Sequence, residues 1–171
     1  MDFEYLVQEV YPEKIPSHLA DLYEYWLGKS CNELGPSWDN FRLDEIKPQF
    51  LPWITIVDVI PGEPLDFKYR FWGSSRTTLQ GYDKTGQTTS SLTPKTVSEK
   101  VTAEYVAVCE VKKPVHVITS SAKGASREFR YDSIRLPLST DGNSVDKILS
   151  LNILGIEEIP MYRLFGTTPP I

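Results

Sequence analysis

Trp53-Ile54-Thr55-Ile56-Val57-Asp58-Val59-Ile60, closed by Pro61-Gly62 and followed by Phe67-Lys68-Tyr69-Arg70-Phe71, is the stretch on which the fold turns. β-Branched side chains lose rotamer freedom in a helix but fit a pleated surface, so the first run reads as a strand. Pro61 and Gly62 reverse the chain, proline by presetting φ and glycine by tolerating conformations other residues avoid. In the second run Phe67, Tyr69 and Phe71 alternate with Lys68 and Arg70, the period of a half-buried strand. The two runs predict an antiparallel hairpin, 53–60 with 66–72.

Upstream of the hairpin, Leu19, Leu22, Tyr23, Trp26 and Leu27 recur at helical spacing. Ser17 can cap that helix by accepting a first-turn amide hydrogen, and Gly28 can end it. Residues 1–16 are read as an N-terminal extension. The stretch between Cys31 and Phe50 is irregular, with a turn at Gly35-Pro36-Ser37 and a short helix over 43–47.

Downstream, 73–94 is small and polar and punctuated by Gly73, Gly81 and Gly86, which predicts short helices near 75–80 and 88–92. A longer helix follows, with Thr93 as cap and Pro94 in its first turn, where the missing N–H costs nothing. Val97, Val101, Tyr105 and Val108 form its apolar stripe; the valine-rich end, 105–111, is also compatible with strand, and helix is the reading taken. Pro114 stops the helix. Strands are then expected over 115–119, 127–138 and 147–154, with turns at Lys123-Gly124-Ala125 and Asp141-Gly142-Asn143. Residues 156–171 are read as a tail. Helix, two strands, several helices and three strands make an α+β domain over 17–155, with about five antiparallel strands, helices on one face and a flanking N-terminal helix.

Composition excludes several classes. The net charge is −5 and the 18 basic residues are scattered, so there is no concentrated positive patch for nucleic acid. Cys31 and Cys109 form neither a C-x-x-C pair nor a metal spacing, and no metal site is expected. Met1-Asp2-Phe3-Glu4-Tyr5 lacks the pattern of a signal peptide, and no apolar run reaches the ~20 residues of a membrane span. A cytoplasmic location is the expectation, with no membrane partner.

Gly81-Tyr82-Asp83-Lys84-Thr85-Gly86, followed by Ser91-Leu92-Thr93-Pro94, resembles the corresponding region of PAS domains. More specifically, the chain resembles a bacterial family of short single-domain PAS-like proteins common in alphaproteobacteria. The matching features are Tyr25-Trp26, Leu51-Pro52, Phe67-x-Tyr69-Arg70-Phe71-x-Gly73-Ser74, and Leu136-Pro137-Leu138-Ser139 before Asp141-Gly142. They span about residues 19 to 152, nearly the whole chain. The resemblance implies a sheet face and surrounding helices that enclose a small-molecule pocket, with flanking helices mediating dimers or partner contacts. It also implies a sensory or regulatory role in signal transduction, exercised by binding rather than catalysis.

Tyr69, Phe71, Tyr105 and Tyr131 are the candidates to line an aromatic pocket, or else to fill the core. Arg70 alternates with the aromatics and points to the opposite face, where it clamps a carboxylate or phosphate or pairs with a structural acid. Leu19, Leu22, Tyr23 and Trp26 either contact a second subunit or cover the chain's own sheet. The expected partners are a small organic ligand and either a second copy or a separate signalling protein.

No cofactor is assigned. Haem-binding PAS sensors take an axial histidine from the long helix or a neighbouring strand; that helix has none, leaving His116 on a strand and His18 on the first helix. Flavin photosensors carry an Asn-Cys-Arg-Phe motif before the long helix, and 86–92 contains no cysteine. No catalytic residue is named, because the sequence has no Gly-x-Ser-x-Gly elbow, clustered zinc ligands or phosphate-binding glycine spacing. Two alternatives stand beside the sensor: an interaction module with a filled core, and a cone-shaped isomerase or cyclase fold. The latter opens on a helical hairpin and keeps an acid or histidine in its cavity, whereas this chain offers one helix and no dyad.

Overall fold

The computed structural model describes residues 3–121 and 130–153. Its elements are β1 (Phe3–Glu9), α1 (Ser17–Lys29), β2 (Ile54–Ile60), β3 (Asp66–Trp72), α2 (Ser74–Gln80), α3 (Lys95–Val111), β4 (Val115–Ser121), β5 (Arg130–Leu138) and β6 (Lys147–Asn152). All strands join one antiparallel sheet in the order β1-β4-β5-β6-β2-β3. The last strand, β6, therefore lies between β5 and β2.

An α+β fold with an antiparallel sheet is as the pattern predicts, but two features correct the expectation. The sheet has six strands rather than five. The extra one is β1, formed by residues assigned to an extension. It pairs with β4, Val7 opposite Val117, and is tied down by Gln8 to His116 and by Lys113 to Glu9 at 3.2 Å. The alternation Phe3, Tyr5, Val7 was the available signal, interrupted by Leu6 on the other face.

The helices also lie on both faces. α1 and the segment 30–53 cover one, through Leu19, Leu22, Trp26, Phe41, Ile46 and Phe50 against Ile54, Ile56, Ile134, Leu136, Leu149 and Leu151. On the other side Tyr105, Val108 and Leu92 pack on Val57, Phe67, Tyr69, Val115, Val117 and Ile148. The reason lies in β5 and β6, which are buried through most of their length on both sides and so need two covers.

Helix ends differ in detail. Pro16 and Pro94 occupy the N-cap positions of α1 and α3 without side-chain bonds, so Ser17 lies inside α1 and Thr93 precedes a cis Pro94. Gly28 is also inside α1, which ends at Lys29. The short helices predicted near 43–47 and 88–92 are 3-10 turns at Leu43–Glu45 and Thr89–Ser91. The turn at Lys123-Gly124-Ala125, the start of the 127–138 strand, residue 154 and the tail lie outside the described residues.

Two local features place the functional face. A bulge shifts the β2–β3 register: Ile56 opposes Phe71, yet Val57 opposes Tyr69. The extra residue at Arg70 resets the alternation, so Tyr69 and Trp72 share the face toward α3 while Phe71 packs on the α1 side. Gly73 then lets α2 start against the backbone before β2. A Cβ at this position would lie 2.2 Å from the Pro52 carbonyl oxygen, so only glycine permits the approach.

Candidate functional site

The face of the sheet toward α3 carries a buried polar patch beside its apolar residues, whereas the opposite face is apolar. Across four strands the register aligns Arg135, Ser150, Thr55 and Trp72, with Ser133 and Asn152 in the next row and Thr119 beyond, opposite Tyr131. All but Tyr131 are at most 5% exposed, so these side chains belong to the interior. Thr119 Oγ1, Ser133 Oγ, Ser150 Oγ and Asn152 Oδ1 are buried without a hydrogen-bond partner among the described residues, as are Trp72 Nε1 and Arg76 Nε. An unpartnered buried polar atom costs about 1–3 kcal/mol, and native interiors hold few of them. Their concentration on one face marks the site.

α3 brings a carboxylate to this face. Glu104 is fully buried and accepts from Lys100 and, at 3.1 Å from Nε, from Arg135. The Arg135 guanidinium lies over the Tyr105 ring at 4.9 Å. Burial would raise the Glu104 carboxyl, but Arg135 and Lys100 outweigh it and hold the group below its ordinary value. The helix is held against β3 through a 3-10 turn: Thr89 Oγ1 donates to Asp66 at 2.9 Å, and Ser98 Oγ donates to the Thr89 carbonyl at 2.7 Å.

α2 and the loop after it bring two more cations. The Arg76 guanidinium lies 4.7 Å from the Trp72 ring centroid, and Lys84 Nζ lies 5.3 Å from the same ring and 5.1 Å from that of Tyr82. Lys84 is 4% exposed. Neither cation pairs with a carboxylate among the described residues. Burial, reinforced by the Arg76 charge, brings the Lys84 ammonium down to about 8. Arg76 is lowered by burial and by Arg135, and its electrostatic neighbours include Tyr69, Tyr105 and Tyr131. The loop holds its place through two backbone bonds with Tyr69, Gly86 N–H to its carbonyl at 2.7 Å and its own N–H to Gln87 at 2.9 Å.

Of the residues singled out from sequence, Tyr69, Tyr105 and Tyr131 gather on this face around Arg76. Tyr69 packs edge-on against Trp72 with centroids 4.8 Å apart. Burial, then the nearby Tyr105 phenol, keep the Tyr69 phenol well above its ordinary value and hence protonated. Phe71 is not with them, because the bulge turns it to the α1 side. Arg70 is also on the opposite face: it bonds Asp58 at 2.8 Å and lies over Trp38, the structural pairing.

The Leu19, Leu22, Tyr23 and Trp26 stripe covers the chain's own sheet. Leu19, Leu22 and Trp26 are buried against it and Tyr23 stacks on Trp26 at 5.8 Å, which leaves the three buried residues no surface for a second subunit. His116 is buried with both ring nitrogens engaged, Nε2 with Asp132 at 2.7 Å and Nδ1 with Gln8 at 3.2 Å.

Arg76, Lys84, Arg135 and Glu104 were missed. The signal available for Arg135 was its place in Ser133-Ile134-Arg135-Leu136, where a charge alternates with core residues on a strand. Lys84 and Arg76 carry no such pattern, being loop and short-helix residues whose burial is a product of packing. No protein-family model and no curated protein matches the chain.

Proposed function

We propose that this chain is a PAS-like sensory domain that binds a small molecule between the sheet and α3 and signals by association, without catalysing a reaction. The carrying observation is the patch of unpartnered polar atoms at Thr119, Ser133, Ser150 and Asn152. A core that only had to be filled would place aliphatic residues there. The other face of the same strands does so, with Ile134, Leu136, Leu149 and Leu151. The order on which the family resemblance rests, helix, two strands, several helices and three strands, is also the order from α1 to β6.

In this reading the polar patch supplies hydrogen bonds to a ligand while Tyr69, Tyr105 and Tyr131 supply contact area. A ligand that prefers one of two conformations shifts their populations, and a second protein reads the shift. Native mass spectrometry of freshly purified protein, with an absorption spectrum, tests it. An adduct of small-molecule mass that denaturation releases is expected, and Ser133→Val with Ser150→Val should abolish it. A clean mass together with a more stable double variant would instead identify an interaction module with a filled core.

A further inference from the structure

The buried Lys, Arg, Asp and Glu side chains among the described residues are Lys84, Lys100, Arg135 and Glu104, three cations and a single carboxylate. Glu104 is committed to Lys100 and Arg135. Half-buried Arg76 adds a fourth cation to the same face. This imbalance sits inside a protein whose net charge is −5, so a general excess of basic residues does not account for it. A buried charge is costly unless paired, and the ring face of Trp72 offsets only part of that cost.

We propose that Arg76, Lys84 and the Trp72 indole N–H form a binding site for a small organic carboxylate. The inference rests on the small-molecule reading above and names its ligand class. Three donor groups are gathered at the Trp72 ring. Trp72 Nε1 and Arg76 Nε are buried donors without acceptors, and the Lys84 ammonium has no carboxylate partner. A guanidinium presents parallel N–H groups that match the two oxygens of a carboxylate, and the ammonium supplies a point charge. Ser150 and Asn152, on the strand next to β2, offer hydrogen bonds to hydroxyl or carbonyl groups elsewhere on the ligand. Arg76, half-buried on α2, is the least buried of the three. The other basic side chains on this face do not compete for it, since Glu104 holds both.

Isothermal titration calorimetry with succinate, citrate and benzoate, against succinamide, benzamide and inorganic phosphate, tests the assignment. At least one carboxylate is expected to bind at millimolar concentration or below, with its amide failing to bind. Arg76→Gln and Lys84→Met should each weaken that binding tenfold or more, while Arg76→Lys retains part of it. Should a charge-removing variant fail to fold, the wild-type readout is a change in tryptophan fluorescence on titration that Trp72→Phe removes. The assignment is overturned if the amides bind as well as the acids, if phosphate alone binds, if affinity is unchanged in Arg76→Gln, or if no carboxylate binds. A neutral adduct in native mass spectrometry would then preserve the small-molecule reading; no adduct and no binder of any charge would remove both.

Discussion

Trp26 donates its indole N–H to the Pro137 carbonyl oxygen at 2.6 Å, joining the last turn of α1 to the end of β5. Proline cannot donate to the ladder, and its carbonyl is taken by a side chain from the covering helix. Trp26→Phe keeps most of the apolar contact and orphans that carbonyl. A loss of ~1–2 kcal/mol in denaturant unfolding is expected, as for a buried hydrogen bond. Light scattering should show an unchanged mass, because Trp26 faces its own sheet.

Glu104 neutralises two buried cations at once. Glu104→Gln leaves them uncompensated and should cost ~3–5 kcal/mol at neutral pH. The pH dependence has a definite sign. Because the folded carboxyl lies below its ordinary value, its stabilisation is complete above the unfolded value and is lost as pH falls through the folded one. Urea titrations from neutral to acid pH should therefore show the wild type losing this advantage over the variant.

Lys84 acts in the opposite sense. Its ammonium is brought from an ordinary 10.5 down to about 8, so below pH 8 the folded chain carries the full cost of a buried charge. That cost is relieved as pH rises from 8 to 10.5, where the unfolded chain still binds the proton and the folded chain does not. Lys84→Met should raise the stability of the ligand-free protein at pH 7 by up to ~3 kcal/mol. The gain should disappear as pH is raised through that window, as read from thermal unfolding.

The same group sets the pH dependence of carboxylate binding. An anion beside Lys84 favours the charged ammonium, so binding above pH 8 takes up a proton and weakens as pH rises. Arg76 stays charged throughout this range, and Tyr69 and Tyr82, both raised, stay neutral through most of it. Calorimetry in buffers of different ionisation enthalpy should show the uptake, and Lys84→Met should abolish it.

Gly73→Ala tests the approach of α2 to the segment before β2. A Cβ there would meet the Pro52 carbonyl oxygen and carbon, which are backbone atoms and cannot swing aside. A destabilisation of ~2–3 kcal/mol is expected, typical of overpacking, with a further loss of ligand affinity because Trp72 and Arg76 flank the displaced residue.

Local pattern carried most of the elements. β-Branched runs beside proline and glycine marked β2 and β4, an apolar run after Asp141-Gly142-Asn143 marked β6, and the apolar stripe marked α3 through its valine-rich end. For the site, residue type identified Tyr69, Tyr105 and Tyr131 as candidates. It failed at Phe71 because strict alternation holds only for an unbroken ladder, and the bulge at Arg70 inverts it. β1 was missed because Leu6 interrupts the Phe3, Tyr5, Val7 alternation and leaves a short run with no clean period.

The sequence by itself determined the α+β class, the β2–β3 hairpin and the long helix, because these depend on residues near one another along the chain. Only the tertiary structure decided which face of each strand meets which helix, and so which polar residues are interior. Arg76, Lys84, Arg135 and Glu104 come from α2, a loop, β5 and α3. Their desolvation and pairing arise when those elements close over one face, and no local period encodes that closure.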